Sequence, residues 1–148
     1  MSRFIYEAIF QKDKEKHLPY EIVNQPEIKI YTEDFGKPDD FCLVAEIDEK
    51  IIGAAWTRIL CGGIKGFGNI DDSTPEFAVS VCKEYRNKGI GTKLMINMLQ
   101  LLKDNGYKKA SLAVQKDNYA VMMYKKIGFE IVNETKEEYI MVCDFNVR

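Results

Sequence analysis

The chain has 148 residues, 46% of them hydrophobic and 30% charged, with 21 basic against 23 acidic side chains and a net charge of −2. That length suits one domain over residues 1–148, with a core that needs no disulfide or metal, and the composition excludes a disordered chain. The lack of a basic excess argues against nucleic acid as a partner, and no apolar run approaches the ~18 residues of a membrane span.

In chain order, residues 3–16 read as a helix with Phe4, Ile5, Ala8 and Ile9 on one face. Glu7 breaks any signal-peptide pattern there, and no cleavage-like site follows. Pro19 and Pro26 punctuate the next stretch, and residues 27–35 suit a second short helix. A turn over 36–40 leads to strands at 41–47 and 51–60, joined as a hairpin by Asp48, Glu49 and Lys50. Residues 61–74 are polar and contain Gly62, Gly63, Gly66 and Gly68, which reads as a long, functional loop. A strand at 76–82 precedes the clearest helix, 89–105, whose polar stripe is Lys93, Asn97, Gln100 and Asp104 and whose wide apolar remainder implies packing on a sheet. Gly106 stops it. A strand at 110–115, a helix at 118–127 ended by Gly128, and strands at 129–133 and 138–145 complete an α/β layout with at least one right-handed crossover.

Cys42, Cys61, Cys82 and Cys143 form no C-x-x-C pair and sit in apolar or strand-like stretches. They read as four reduced, mostly buried thiols of a cytoplasmic protein, and a zinc site is disfavoured. His17 is the single histidine and lies in a polar stretch. No G-x-S-x-G elbow accompanies it, so a hydrolase triad has no support and a solvated surface position fits it better.

The segment that carries chemistry runs from Val79 to Thr92. A strand ends, a basic loop with Gly89 and Gly91 follows, and a long helix starts. Backbone N–H groups in such a loop form a concave nest at the positive end of the helix dipole, a site for phosphate or pyrophosphate. Lys83, Arg86, Lys88 and Lys93 against Glu84 make it locally basic within an acidic chain. A Walker loop is absent. So is a dinucleotide fingerprint, because Leu94 stands where its third glycine would be. A strand-to-helix turn with no ligand is the plain alternative.

The wider pattern is more specific. Arg86-x-x-Gly89-x-Gly91 on a strand-loop-helix unit resembles the acetyl-CoA pyrophosphate loop of the GNAT superfamily of N-acetyltransferases. Some thirty residues on, the block from Asn118 through Ala120 and Tyr124 to Gly128-Phe129 resembles that family's N-x-x-A-x-x-x-Y-x-x-x-G-F, though Ala120 comes one residue early. The resemblance covers roughly residues 41–145. It implies a mixed, twisted sheet with helices on both faces, and direct transfer of an acyl group, usually acetyl, from acetyl-CoA to an amine. It implies that the backbone of Val79 and Val81 pairs with the pantetheine arm, that Arg86, Asn87, Lys88, Gly89, Ile90, Gly91 and Thr92 cradle the pyrophosphate, that Asn118 contacts CoA, and that Tyr124 protonates the departing thiolate. Three departures accompany it. Lys83 and Asn87 replace frequent proline and glycine, the first strand is absent or displaced, and Ala113 stands where some protein-acetylating members carry glutamate.

Aminolysis of a thioester requires a neutral amine and gains from a proton on the leaving group. Tyr124 can donate that proton; its plainer reading is a packed core tyrosine. Glu76 opens the strand into the CoA loop, sharing one face with Ala78 and Ser80 while Phe77, Val79 and Val81 share the other. It is the candidate base, acting through water, or else a surface carboxylate at a strand end. Asp71 and Asp72 are alternatives to it. These three carboxylates, with no nearby cation beyond Lys65, suit a small, positively charged primary amine as acceptor. Trp56 reads as core. A CoA-binding sensor without turnover, a protein N-terminal acetyltransferase and a homodimeric state remain open.

Overall fold

The computed structural model describes residues 25–146, so the helix expected over 3–16, His17 and the question of a first strand lie outside the described residues. The elements are helix α1 (Pro26–Lys29), strands β1 (Phe41–Ile47), β2 (Lys50–Arg58) and β3 (Glu76–Val81), a short 3-10 turn at Lys83–Tyr85, helix α2 (Ile90–Asp104), strand β4 (Lys109–Gln115), helix α3 (Ala120–Ile127), and strands β5 (Glu130–Glu134) and β6 (Glu138–Asp144). The strands form one mixed sheet in the order β1-β2-β3-β4-β6-β5, with β3 and β4 the parallel pair. The crossover between that pair is α2, as the alternation of periods requires.

The hairpin between β1 and β2 is tighter than three residues. Ile47 pairs with Lys50, and Asp48 and Glu49 both take positive φ, 51° and 65°. A two-residue loop with left-handed central residues matches the right-handed twist of its strands.

Strand alternation sorts the sheet into two faces. Phe77, Leu112, Val114 and Met141 meet Leu94, Met95, Met98 and Leu102 of α2 and Val121 and Tyr124 of α3. The apolar surface of α2 is narrower than its sequence implies, because Ile96 is 49% exposed. On the other face Trp56, Ala54 and Leu60 pack against Ile28 and Tyr31. Helix α1 is a single turn rather than a helix over 27–35. Asp34 at φ 53° takes the chain out of helical conformation, and the Arg58 guanidinium donates to the carbonyls of Ile30 at 2.9 Å and Glu33 at 2.6 Å. Arg58 also pairs with Asp40 at 3.0 Å and lies over the Phe35 ring at 5.4 Å, pinning the segment to the sheet. Trp56 is core, 1% exposed, and its indole N–H donates to the Tyr31 carbonyl at 3.0 Å. All four cysteines are free; Cys82 and Cys143 are buried, but Cys42, on β1, the outermost strand among the described residues, and Cys61, in the glycine-rich loop, are exposed.

The 61–74 loop folds back on itself, with Gly66 N–H donating to the Leu60 carbonyl at 3.0 Å, and its tip presses on the sheet. A Cβ at Gly68 would come within 2.6 Å of the Leu112 carbonyl carbon and 2.8 Å of the Ala113 nitrogen. Strand backbone cannot yield as a side chain can. Gly68→Ala is therefore expected to cost about 1–3 kcal/mol, as overpacking does, and Gly62→Ala, which would meet nothing within 4 Å, close to nothing. Urea melts of the two variants check the contrast.

Candidate active site

Strands β3 and β4 pair at one position, Glu76 with Ser111. Ser111 N–H donates to the Pro75 carbonyl at 2.9 Å, and beyond that joint no further β3–β4 pairing occurs. The hydrogen-bond parity of β3 then decides what faces the gap. Cys82 N–H donates to the Ile52 carbonyl of the neighbouring chain segment at 2.7 Å, so residues 76, 78, 80 and 82 bond toward β2. In an antiparallel pair the alternate residues turn their N–H and C=O the other way. Val79 and Val81 thus present backbone groups to the open side. The Val81 carbonyl is taken by Arg86, whose Nε–H donates to it at 2.9 Å. Arg86 is turned in to brace the strand end.

The loop after β3 turns through Asn87 at φ 63° and Gly89 at φ 80° into α2. Gly89 is the N-cap, and no side chain caps the helix. Among the described residues the N–H groups of Asn87, Lys88, Gly89, Ile90, Gly91 and Thr92 have no acceptor, while Lys93 N–H begins the ladder on the Gly89 carbonyl at 3.1 Å. A Cβ at Gly89 would meet nothing within 4 Å, and one at Gly91 only the Val81 side chain at 3.8 Å. This is an open cradle of donors at the positive end of a fifteen-residue helix. Its shape and charge fit a pyrophosphate. Lys88 rests its ammonium over the Tyr85 ring at 5.7 Å. Helix α3 starts at Ala120 rather than at Asn118, because the Asn118 Oδ1 accepts the Ala120 N–H at 2.9 Å and caps the first turn from outside it.

Glu76, at the joint of β3 and β4, and Tyr124, on α3, sit on opposite faces of the sheet. Tyr124 is buried with Phe77 and Phe129, its ring centroid 6.1 Å from that of Phe129. Its hydroxyl makes no hydrogen bond among the described residues. Burial, and secondarily Tyr119, push its pKa up to about 12, so the phenol keeps its proton at neutral pH. Both the packed-core and the acid readings of this tyrosine fit that position.

Glu76 is no surface carboxylate: it is 2% exposed. Its Oε2 accepts the Tyr31 hydroxyl at 2.5 Å and the Gly68 N–H at 3.0 Å. Its Oε1 has no hydrogen-bond partner among the described residues, and a Cβ at Gly66 would stand 1.9 Å from it. Burial raises the carboxyl to about 7 against the pull of those two donors. Tyr31 could not have been found from sequence, since it lies 45 residues upstream in a stretch with no motif. The expectation that no cation beyond Lys65 lies near these carboxylates does not hold. Asp71 accepts the Ser73 N–H at 2.9 Å within its own turn and lies 3.8 Å from the Lys109 ammonium, a cation sequence spacing did not bring near.

Residues 5–129 match the family model described as the acetyltransferase (GNAT) family. The chain belongs to that family, whose class is the acyl-CoA-dependent N-acetyltransferases with acetyl-CoA as co-substrate. It is 35% identical over 88 residues to the uncharacterized N-acetyltransferase YobR of Bacillus subtilis, covering 59% of this chain and 32% of that one. It is 31% identical over 100 residues to an N-alpha-acetyltransferase of Saccharolobus solfataricus, covering 65% and 60%. The chain thus spans less than two-thirds of the length of these relatives. The PaiA N-acetyltransferase of Thermoplasma acidophilum, solved in complex with coenzyme A, shares the fold with a TM-score of 0.63 and 20% identity over 97% of this chain and 90% of that one. Among the described residues no helix is long and apolar enough to cross a membrane.

A carboxyl that titrates near 7 folded and near 4.5 in its ordinary setting keeps more protons in the folded chain between those values. Its contribution to stability is therefore fully present below about pH 4.5 and is lost as pH rises through 7. Glu76→Gln removes that loss. The variant is expected to match wild type at pH 4.5 and to exceed it by on the order of 2 kcal/mol at pH 8, read from Tm across the range.

Proposed function

We propose that this protein is an N-acetyltransferase that moves an acetyl group from acetyl-CoA to a primary amine by direct transfer. The observation that carries the reading is the gap between β3 and β4 with a donor cradle at its end. Bound acetyl-CoA supplies the acetyl group as an activated thioester. Asn87 to Thr92 hold the pyrophosphate through backbone N–H groups, with Lys88 adding positive charge. The free N–H and C=O of Val79 and the N–H of Val81 pair with the amide groups of the arm, as a strand edge pairs with an extended peptide. Asn118, its Oδ1 spent on α3, offers its amide N–H groups.

Glu76 accepts the proton of the attacking ammonium, directly or through one water, on the face that carries α1. With its carboxyl near 7, it is half ionised at neutral pH, where a general base works best. Tyr124 holds a proton for the departing sulfur on the other face. An attacking nitrogen and a leaving sulfur stand on different sides of the acetyl carbon, so acid and base on opposite faces suit one direct step. None of the four cysteines is required.

The acceptor in this reading is a primary amine on a small molecule. The relationship to an N-alpha-acetyltransferase favours a peptide amino terminus as a second reading, against which stands Ala113 on β4. Thermal shift with acetyl-CoA, and thiol release with a panel of small amines and peptides, test the proposal. Acetyl-CoA at a hundred times its Kd stabilises a folded site by about 2.7 kcal/mol. Gly91→Glu is tolerated by the helix, since acid near an N-terminus suits the dipole, but it fills and repels the cradle. It is expected to fold as wild type and to lose the shift. An equal shift in both proteins would remove the cradle from the site. CoA binding with no amine turned over supports a sensor instead.

Tyr124→Phe keeps the ring among Phe77 and Phe129. It is expected to lower kcat by roughly 10²-fold while KM for acetyl-CoA stays nearly constant, as loss of a general acid does. Steady-state kinetics with the amine that turns over fastest measure both.

A further inference from the structure

The two oxygens of Glu76 have unlike surroundings. Oε2 accepts from the Tyr31 hydroxyl and the Gly68 N–H, while Oε1 has no hydrogen-bond partner among the described residues. The hydrogen inventory fixes the direction of the first bond. The Tyr31 oxygen accepts the Phe67 N–H at 2.8 Å, so its one hydrogen is directed to the carboxylate. With Oε2 taking two donors, a proton that reaches this carboxylate resides on Oε1. Oε1 is itself buried and lies against Gly66, where an added Cβ would stand 1.9 Å from it. Ser111, in register with Glu76 on β4, has a buried hydroxyl that is also unpartnered.

Tyr31 is held independently of the bond it makes. Its carbonyl accepts the Trp56 indole N–H, and its ring stacks on Phe67 with centroids 6.2 Å apart. Burial first, and the charge of Glu76 second, drive its phenol far above the usual range, so it stays a donor.

We propose that Tyr31 is a positioning residue: by donating to Glu76 Oε2 it locks the carboxylate and leaves Oε1 as the atom that takes the proton of the acceptor amine. This rests on the reading of Glu76 as the base. In the step, a nitrogen–hydrogen bond breaks and an Oε1–hydrogen bond forms, and the nitrogen keeps the electron pair that bonds to the acetyl carbon. The proton later leaves Oε1 to water. The other groups facing Glu76 are the Gly68 N–H from the loop, the Ser111 hydroxyl from β4, and Glu138 at the start of β6, whose charge opposes ionisation. Arg58 shares its register on β2, but the guanidinium is committed to Asp40 and to backbone carbonyls.

Tyr31→Phe keeps the ring and removes the donor. The Glu76 carboxyl carbon is followed by 13C NMR against pH in the unliganded protein, with Glu76→Gln to assign it. Loss of a hydrogen bond to the charged form is expected to raise the midpoint by about one pH unit or more, and to move the acid limb of kcat/KM by the same amount. A tyrosine that only packs would lower Tm and leave both unchanged. An unmoved midpoint in folded Tyr31→Phe overturns the proposal and leaves Glu76 as the base. Wild-type rate and an intact acid limb in Glu76→Gln overturn the base reading, and the proposal with it. If Tyr31→Phe does not fold, 3-fluorotyrosine at position 31 donates more strongly and is expected to lower the midpoint; no shift there is equally decisive against the proposal.

Discussion

Beyond their joint at Glu76 and Ser111, β3 and β4 pair no further, and most of the candidate site follows from that one limit on pairing. Parallel neighbours normally satisfy their backbone along their whole length. Here the parity that bonds residues 78, 80 and 82 to β2 leaves Val79 and Val81 facing an unpaired gap. Val79 and Val81 are only partly buried, and the proposed function uses this open edge to pair with a peptide-like arm. The same divergence aims the end of β3 at the loop and at the first turn of α2, where the donor cradle stands open.

A second constraint holds the other face together. Arg58 and Glu76 are adjacent across β2 and β3, both buried, and they do not pair with each other. Arg58 is satisfied by Asp40 and by carbonyls of the segment that follows α1, which ties that segment to the sheet. The segment in turn carries Tyr31 to Glu76. Removing a lone charge from water is costly unless it is hydrogen-bonded, and among the described residues Glu76 has donors on only one oxygen. The fold therefore tolerates a carboxylate that is incompletely compensated. Such a local cost is characteristic of positions kept for chemistry rather than for stability.

The glycines of the 61–74 loop express the same arrangement from outside. Gly66 and Gly68 allow backbone to approach Glu76 and the Leu112–Ala113 peptide more closely than any side chain would permit. The loop supplies the Gly68 and Phe67 N–H groups that complete the environment of Glu76 and Tyr31. Its glycines mark close approach, whereas Gly89 marks a left-handed turn into a helix.

The sequence by itself determined the strands and the two longer helices to within about two residues, because alternation and helical periodicity are local and Gly106 and Gly128 stop the helices. It also determined the family and the phosphate-type loop, since Arg86, Gly89, Gly91 and the Asn118–Phe129 block are contiguous in the chain. Other features depend on residues far apart in sequence, and only the tertiary structure decided them. Whether Glu76 was a surface or a buried carboxylate depended on the loop folding over it. The expected helix over 27–35 is a single turn, and the carbonyls beyond it are held by an arginine some thirty residues away. Asp71 was answered by Lys109 from another strand, and Cys42 emerged on the outermost strand among the described residues, a place that no local pattern announces. The partnership of Tyr31 with Glu76 belongs to the same class: a hydrogen bond across 45 residues leaves no periodic signal, because it is made by packing rather than by spacing.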